Sequence, residues 1–160
     1  MIVVGVASNF RRAKNIKKSL REMKLFLGQL EISQLIKSAD FSGKGAFYWN
    51  VVVKFKTRLP IKEIKTLMKG IESSCGRLKQ SKELGCVSMD LDLLLREDTS
   101  SERFCLLDKG LPDNLPLVSA LAELFSFQEL LSVDPLLERS LKNLDRERFS
   151  SLKIKWDSIL

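Results

Sequence analysis

Residues 88–95 read SMDLDLLL, and this stretch decides how the rest of the chain is interpreted. Apolar residues crowd it on both sides, which predicts a buried β-strand. Asp90 and Asp92, at positions i and i+2, then point to the same face, roughly 6.5–7 Å apart along the backbone. Unpaired anions in such a setting are costly, and a pair of divalent metal ions, which usually accompany polyphosphate chemistry, would stabilise them. Alternatively, one aspartate caps a loop and the other pairs with a lysine at the rim.

Length and composition predict one soluble globular domain over residues 1–160. The hydrophobic fraction of 44% and the charged fraction of 29% are ordinary for this class. No apolar run approaches the roughly 20 residues that span a bilayer, so no membrane association is expected. The start of the chain, residues 1–7, is apolar but has no basic region before it, which favours a first strand over a secretory signal.

The cysteine and histidine counts restrict the chemistry. Cys75, Cys86 and Cys105 are odd in number and lack CxxC spacing, which predicts reduced thiols in a cytoplasmic protein. The sequence contains no histidine. This excludes Ser-His and Cys-His nucleophile schemes and the usual imidazole zinc sites. Acid–base work at neutral pH would fall to Asp, Glu, Lys, Tyr or water.

The net charge of +7 is unevenly distributed along the chain. Residues 1–80 hold 17 basic and 5 acidic residues, whereas residues 81–160 hold 10 basic and 15 acidic. A basic half suggests an anionic ligand, which could be a nucleotide, a nucleic acid or a phospholipid surface. Much of this charge lies on one side of the first predicted helix, which is either a solvated face or a binding face.

Hydrophobic periodicity predicts the element order β-α-β-β-α-β with helices appended at the C-terminus. The predicted strands cover 1–7, 30–37, 47–57 and 88–95, with a short strand at 103–107; the predicted helices cover 13–27, 60–75, 117–127 and 136–150. Ser8 and Asn9 form a turn and cap the first helix, and Gly28 ends it. This order is typical of an α+β ferredoxin-like sandwich with helices on one face of an antiparallel sheet. We expect the first and third strands to be central and loops to cover the other face.

The third predicted strand has two distinct faces. Trp49, Val51, Val53 and Phe55 lie on one face, and Tyr48, Asn50, Val52, Lys54 and Lys56 lie on the other. Asn50 is a carboxamide flanked by bulky apolar groups. It is either a hydrogen-bonded core residue or a ligand contact that meets the aspartates on the loop-covered face.

The order of motifs resembles that of the 6-hydroxymethyl-7,8-dihydropterin pyrophosphokinase family, most strongly over residues 1–130. The segments that carry the resemblance are Ala7-Ser8-Asn9, FYWNVVV at 47–53, Ile71-Glu72 with Gly76-Arg77, DLDLLL at 90–95, and LAEL at 121–124. Each segment is weak alone, but the five occur in the family's order and spacing.

The resemblance implies an enzyme that transfers pyrophosphate from ATP to the hydroxymethyl group of a reduced pterin. Asp90 and Asp92 would hold two magnesium ions on the triphosphate. Asn50, Tyr48 and Ser38 would bind the pterin. The catalytic residues would be Arg77 and Lys79, from a loop that closes over ATP. The residues that bind the nucleotide would be Glu72, Lys79, Arg103 and Leu93. The protein would be a monomer or a homodimer.

The chain departs from the family pattern at several positions. Val87 and Asn114 replace arginines, Leu84 replaces a loop tryptophan, Leu107-Asp108 replaces a Pro-His segment, Pro116 replaces an aromatic that stacks on the pterin, and the loop at 38–45 lacks paired prolines. A missing charge clamp on a triphosphate costs orders of magnitude in rate. A second hypothesis is therefore a non-catalytic relative that still binds nucleotide or another small molecule. A third is an RNA-binding ferredoxin-like domain, which the absence of paired aromatics on the first strand disfavours.

Overall fold

The computed structural model of the protein describes residues 1–40, 46–77, 85–98, 100–101, 103–131, 133–142 and 151–152. In chain order the elements are β1 (Ile2–Ser8), α1 (Arg12–Leu27), β2 (Glu31–Ile32), β3 (Leu35–Ser38), β4 (Tyr48–Phe55), α2 (Ile61–Ser74), β5 (Asp90–Asp98), β6 (Arg103–Leu106), a 3₁₀ helix (Leu111–Asp113), α3 (Leu115–Leu124), α4 (Phe127–Leu131), α5 (Pro135–Lys142) and β7 (Ser151–Leu152). The predicted ferredoxin-like α+β fold is confirmed. Among the described residues, no helix is long and apolar enough to cross a membrane.

The strands form an antiparallel sheet in the order β6-β5-β1-β4-β3-β7, with β2 also paired to β4. The first and third predicted strands, β1 and β4, are interior strands of this sheet, as expected. The register places Ala7 of β1 opposite Asn50 on one side and opposite Asp90 on the other. The sheet thus brings the predicted carboxamide and the first predicted metal ligand to the two sides of one small residue.

Two apolar clusters cover the two faces of the sheet. Val4, Val51 and Val53 pack with residues of α1 and α2 on one face, while Val3, Val52 and Leu94 pack with residues of α3 and α5 on the other. The predicted alternation of β4 is therefore confirmed. The predicted loop cover of the second face is wrong, because its apolar residues require a packed partner and α3 lies there against β3 and β4.

The second predicted strand, 30–37, is divided in the structure into β2 and β3. Ser33 lies at the division, where its backbone N–H donates to the carbonyl of Val52 and its Oγ accepts from the backbone N–H of Val52. The Ser33 hydroxyl thus takes the place of a backbone carbonyl as the hydrogen-bond acceptor for Val52. The fourth predicted strand, 88–95, instead begins at Asp90 and continues to Asp98, because β6 pairs with residues 95–98.

The predicted cap of the first helix is also wrong. Arg11, in the left-handed conformation with φ of 45°, precedes α1 and makes no side-chain capping bond. Ser8 and Asn9 instead bond across to the segment before β5. The predicted end is confirmed, since α1 ends at Leu27 and Gly28 follows with φ of 81°.

The C-terminal helices differ from the predicted bounds. The helix predicted at 117–127 begins at Leu115, where the Asn114 side chain accepts from the Leu117 backbone N–H, and ends at Leu124 before the separate α4. The helix predicted at 136–150 corresponds to α5, and residues 143–150 lie outside the described part of the chain. β7 was not predicted and pairs with β3.

Candidate active site

A cavity of about 400 Å³ opens on the second face of the sheet, beside the C-terminal end of β1. Gly5 and Ala7 of β1 contribute only small side chains to it, which leaves room above the strand. The polar residues that line it include Ser38, Asp40, Tyr48, Asn50, Asp90, Asp92, Asp113 and Asn114. Five predicted site residues thus meet in one cavity: Ser38, Tyr48, Asn50, Asp90 and Asp92.

Asp90 and Asp92 are the first and third residues of β5, and both side chains line this cavity. The register sets Asp92 opposite Gly5 and Asp90 opposite Ala7, so nothing larger than a methyl group separates them from the cavity floor. Loss of hydration, followed by the like charge of Asp90, raises the pKa of Asp92 to about 6. The two carboxylates are thus close enough for the charge of one to disfavour ionisation of the other.

Arg77 joins two acidic side chains at the edge of the cavity. Its Nη1 donates to Glu72 Oε1 and to Asp90 Oδ1. Burial lowers the pKa of Arg77, but Asp90 and Glu72 outweigh it and the net shift is upward. Glu72 is almost fully buried at the end of α2, where it also accepts from the Leu91 backbone N–H at 2.9 Å and from Lys69 Nζ at 2.9 Å.

The predicted pterin contacts form a second polar group on the opposite wall. Asn50 is 4% exposed, and its side-chain nitrogen donates to Ser38 Oγ at 2.9 Å and to the Ile36 carbonyl at 3.3 Å. These bonds fix the orientation of the carboxamide. Burial, followed by the charges of Asp40 and Asp90, raises the pKa of Tyr48, so its phenol stays protonated at neutral pH.

The segment that leads into β5 is fastened to the end of β1. Asn9 donates through its side chain to the Gly85 carbonyl at 2.8 Å and accepts from the Val87 backbone N–H at 2.6 Å. Ser8 Oγ donates to the Ser88 carbonyl at 2.7 Å, and that carbonyl also accepts from the Asn15 side chain at 2.9 Å. The Ser-Asn pair thus positions the backbone immediately before Asp90.

A second cavity, of about 370 Å³, lies on the other side of β5 and is lined by Asp92 as well. Its other walls combine apolar residues of α2 and β5 with two lysines and one aspartate: Ile61, Lys65, Met68, Lys69, Leu91, Leu93, Leu107 and Asp108. Within the described part of the chain, Asp92 is the residue common to both cavities. The predicted nucleotide contact Leu93 belongs to this second cavity.

Two of the predicted residues are not placed at this site. Arg103 begins β6 opposite Asp98 and lines a different cavity with Met1, Lys54 and Glu97. Lys79 lies outside the described residues, as does Leu84. Sequence reasoning in turn missed Gly5, Asp40 and Asp113 as lining residues. Val3, Gly5 and Ala7 share one face of β1 because side chains alternate along a strand, and this pattern could have identified Gly5 as a lining residue.

The sequence of this chain matches a known protein family. A family model described as 7,8-dihydro-6-hydroxymethylpterin-pyrophosphokinase (HPPK) matches residues 3–135. This chain belongs to the HPPK family. Among individually curated proteins, none matches the chain. The matched range includes both cavities and every predicted site residue, and HPPK enzymes use ATP with Mg²⁺ in general.

The structure describes four of the positions where the chain departs from the HPPK pattern: Val87, Asp108, Asn114 and Pro116. Val87 is 7% exposed and is bonded to Asn9 through its backbone, so this position packs instead of presenting a charge. Asn114 caps α3, and Pro116 in the first turn of that helix lines the first cavity. Asp108 lines the second cavity and accepts from the Gly110 backbone N–H at 2.9 Å.

The donor set fits the magnesium ions of HPPK chemistry. Within the described residues, no group of three or more Asp, Glu, Cys or His side chains converges on one point. Of the four described aspartates that line the first cavity, Asp90 and Asp92 share one face of a single strand. Mg²⁺ prefers hard oxygen ligands and usually takes one or two carboxylates, with phosphates and waters completing its coordination.

Proposed function

We propose that this chain transfers a pyrophosphoryl group from ATP to 6-hydroxymethyl-7,8-dihydropterin, with Asp90 and Asp92 holding two Mg²⁺ ions. The observation that carries the proposal is the placement of Asp92 in the wall of both cavities. A reaction between two substrates requires two sites that meet at the reacting atoms, and here the two cavities meet at Asp92, one of the two predicted metal ligands.

The first cavity is proposed as the pterin site. Asn50 would read the amide edge of the ring, since its orientation is fixed by Ser38 and Ile36. Tyr48, protonated at neutral pH, would line the ring with its phenol available as a donor. The cavity volume of about 400 Å³ lies within the range of small-molecule sites.

The second cavity is proposed as the nucleotide site. Leu91 and Leu93 offer apolar surface for a base, and Lys65 and Lys69 offer positive charge for phosphates. Glu72 would contribute to nucleotide binding from the end of α2, where it forms ion pairs with Arg77 and Lys69. Lys79, which follows Arg77 by two residues, would add a further cation from the loop.

The reaction itself is a displacement at phosphorus. The hydroxymethyl oxygen forms a bond to the β-phosphorus, the bond from that phosphorus to the α–β bridging oxygen breaks, AMP leaves, and the hydroxyl proton passes to solvent. Bound Mg²⁺ would neutralise the charge of the triphosphate. The protein contributes positioning through Asn50, Asp90 and Asp92 and positive charge through Arg77, which suits a chain without histidine.

A second candidate is a family member that binds nucleotide without turnover. Two substitutions in the wall of the first cavity support it: Pro116 provides no aromatic face, and Asn114 is engaged in capping α3. Loss of stacking weakens ring binding by about 1 kcal/mol, and loss of an arginine removes a charge clamp.

Turnover separates the two candidates. The unaltered protein, given Mg-ATP and the reduced pterin at saturation, is expected to release AMP and form the pterin diphosphate in equal amounts, as followed by chromatography. Asp92→Asn serves as the matched inactive control. AMP release no faster than in this variant would reject the proposed reaction and favour the nucleotide-binding relative.

A further inference from the structure

Arg77 has two acidic partners that differ in how firmly they are fixed. The same nitrogen, Nη1, bonds Glu72 Oε1 and Asp90 Oδ1. The Glu72 side chain is 3% exposed and is also held by the Leu91 backbone N–H and by Lys69. The Asp90 side chain is 24% exposed and lines the first cavity. Glu72 is thus an anchored partner for the guanidinium, and Asp90 is an accessible one.

Arg77 bonds Asp90 Oδ1, one of the two carboxylate oxygens through which Asp90 could hold a cation. A guanidinium within hydrogen-bonding distance of a carboxylate lowers the affinity of that carboxylate for any other cation, because the two positive charges repel. Arg77 therefore compensates the negative charge of Asp90 in the ligand-free protein.

We infer that Arg77 is a positioning residue that holds Asp90 until metal and nucleotide arrive together, and that it then leaves Asp90 while staying on Glu72. This inference rests on the proposed function, in which Asp90 is a metal ligand. A divalent ion alone must displace Arg77 and offers the guanidinium no new anion. The phosphates of a nucleotide supply that anion, so binding of the ion and binding of the nucleotide reinforce each other.

The test measures metal affinity without turnover. Mn²⁺ is used as the probe, and its dissociation constant is measured by electron paramagnetic resonance with and without ADP. In Arg77→Met without ADP, Mn²⁺ is expected to bind about tenfold tighter than in the unaltered protein, by analogy with the effect of a neighbouring arginine on proton affinity. With ADP present, the tightening of Mn²⁺ binding that the nucleotide causes should shrink in this variant.

Two further variants keep the test decisive. Arg77→Lys retains a charge but lacks the planar fork, so its Mn²⁺ affinity should lie between those of the unaltered protein and Arg77→Met. Lys142→Met removes one positive charge from an exposed pair with Glu138 that lines neither cavity, and it should leave the affinity within about twofold. A merely structural role for Arg77 would weaken Mn²⁺ binding in its variants instead of strengthening it.

The failure of this inference can be told apart from failure of the proposed function. If Asp90→Asn abolishes Mn²⁺ binding while Arg77→Met binds no tighter than the unaltered protein, the metal site stands and the inference is overturned. If Asp90→Asn binds Mn²⁺ as well as the unaltered protein, the metal site itself is rejected, and the inference falls with it.

Discussion

One face of the sheet carries two regions of opposite character on neighbouring strands. The apolar region consists of Val3, Val52 and Leu94, packed beneath α3. The acidic region consists of Asp90 and Asp92 together with Asn50, and it lines a cavity. Only a step of two residues along each strand separates the regions. The backbone is therefore common to both, and the side chains decide whether a stretch stabilises the fold or binds a ligand.

The boundary between the two regions lies at Gly5. This residue is opposite Val52 on one side and Asp92 on the other. A Cβ placed there would lie 3.1 Å from Leu117 Cδ1 and 3.3 Å from the methyl groups of Leu94. The glycine thus lets α3 approach the sheet in the apolar region while it leaves space beside the aspartate in the acidic region.

The largest effect is expected in the acidic region. Asp92→Asn keeps the size of the side chain and removes its charge, so turnover should fall about a thousandfold while the fold persists. Steady-state AMP release measures this effect. Asp113→Asn, which alters another carboxylate in the wall of the first cavity, is the control and should lose less than tenfold. More than a tenth of the activity remaining in Asp92→Asn would contradict the assigned role.

A substitution in the apolar region should lower the free energy of unfolding. Leu94 is fully buried, so Leu94→Ala should lower the free energy of unfolding by about 2–5 kcal/mol through lost burial and a residual cavity. Urea denaturation measures the change. Leu136 is 61% exposed, and Leu136→Ala should change stability by less than about 0.5 kcal/mol. Equal losses in the two variants would refute the division into regions.

The boundary itself can be tested with a single methyl group. Gly5→Ala should destabilise the protein by about 1 kcal/mol, since the Leu94 and Leu117 side chains must shift to accommodate it. Gly70 is an exposed residue within α2 with open space around it, so Gly70→Ala should instead stabilise the helix by about 0.5–1 kcal/mol. Thermal unfolding of both variants measures these opposite signs, and a stabilised Gly5→Ala would show that the contact is not tight.

How far the sequence predicted these regions depends on the kind of signal. Periods of two and of three to four residues identified β1, α1, β4 and α2, because each buries one face against the same core. The site residues that the sequence did predict, such as Asp90 and Asp92, came from short motifs, whereas most residues of the second cavity were not predicted. The cover of the second face by α3 was missed, since the strand pattern reports burial without revealing which element provides it.

The local contacts that position the site were beyond sequence reasoning. Asparagine is a residue type that often caps helices, yet Asn9 accepts a hydrogen bond from the backbone N–H of Val87, which lies 78 residues away in the sequence. Arg77 was expected near ATP, but its shared bond to Glu72 and Asp90 depends on how α2 docks beside β5. Arg103 lies at the far end of the β5–β6 hairpin, because the strand pairing places it opposite Asp98.

The smallest expected effect is a pH dependence confined to the acidic region. The pKa of Asp92 in the folded protein, about 6, lies above its ordinary value near 3.9, so the folded state binds this proton more tightly than the unfolded state. The stability that this proton contributes is complete below about pH 4 and is lost as the pH rises through 6. Urea denaturation of the ligand-free protein should therefore show that Asp92→Asn gains more stability at pH 7.5 than at pH 5. A gain that is the same at both pH values would contradict the raised pKa.

The most direct test of the central claim is the binding of Mg-ATP measured by isothermal titration calorimetry. The unaltered protein should bind Mg-ATP with a measurable heat, and the double variant Asp90→Ala with Asp92→Ala should show none, because the carboxylates that hold the metal ions are gone. Urea denaturation of the double variant confirms that it remains folded. Undiminished binding of Mg-ATP by the folded double variant would contradict the claim that these two aspartates form the metal–nucleotide site.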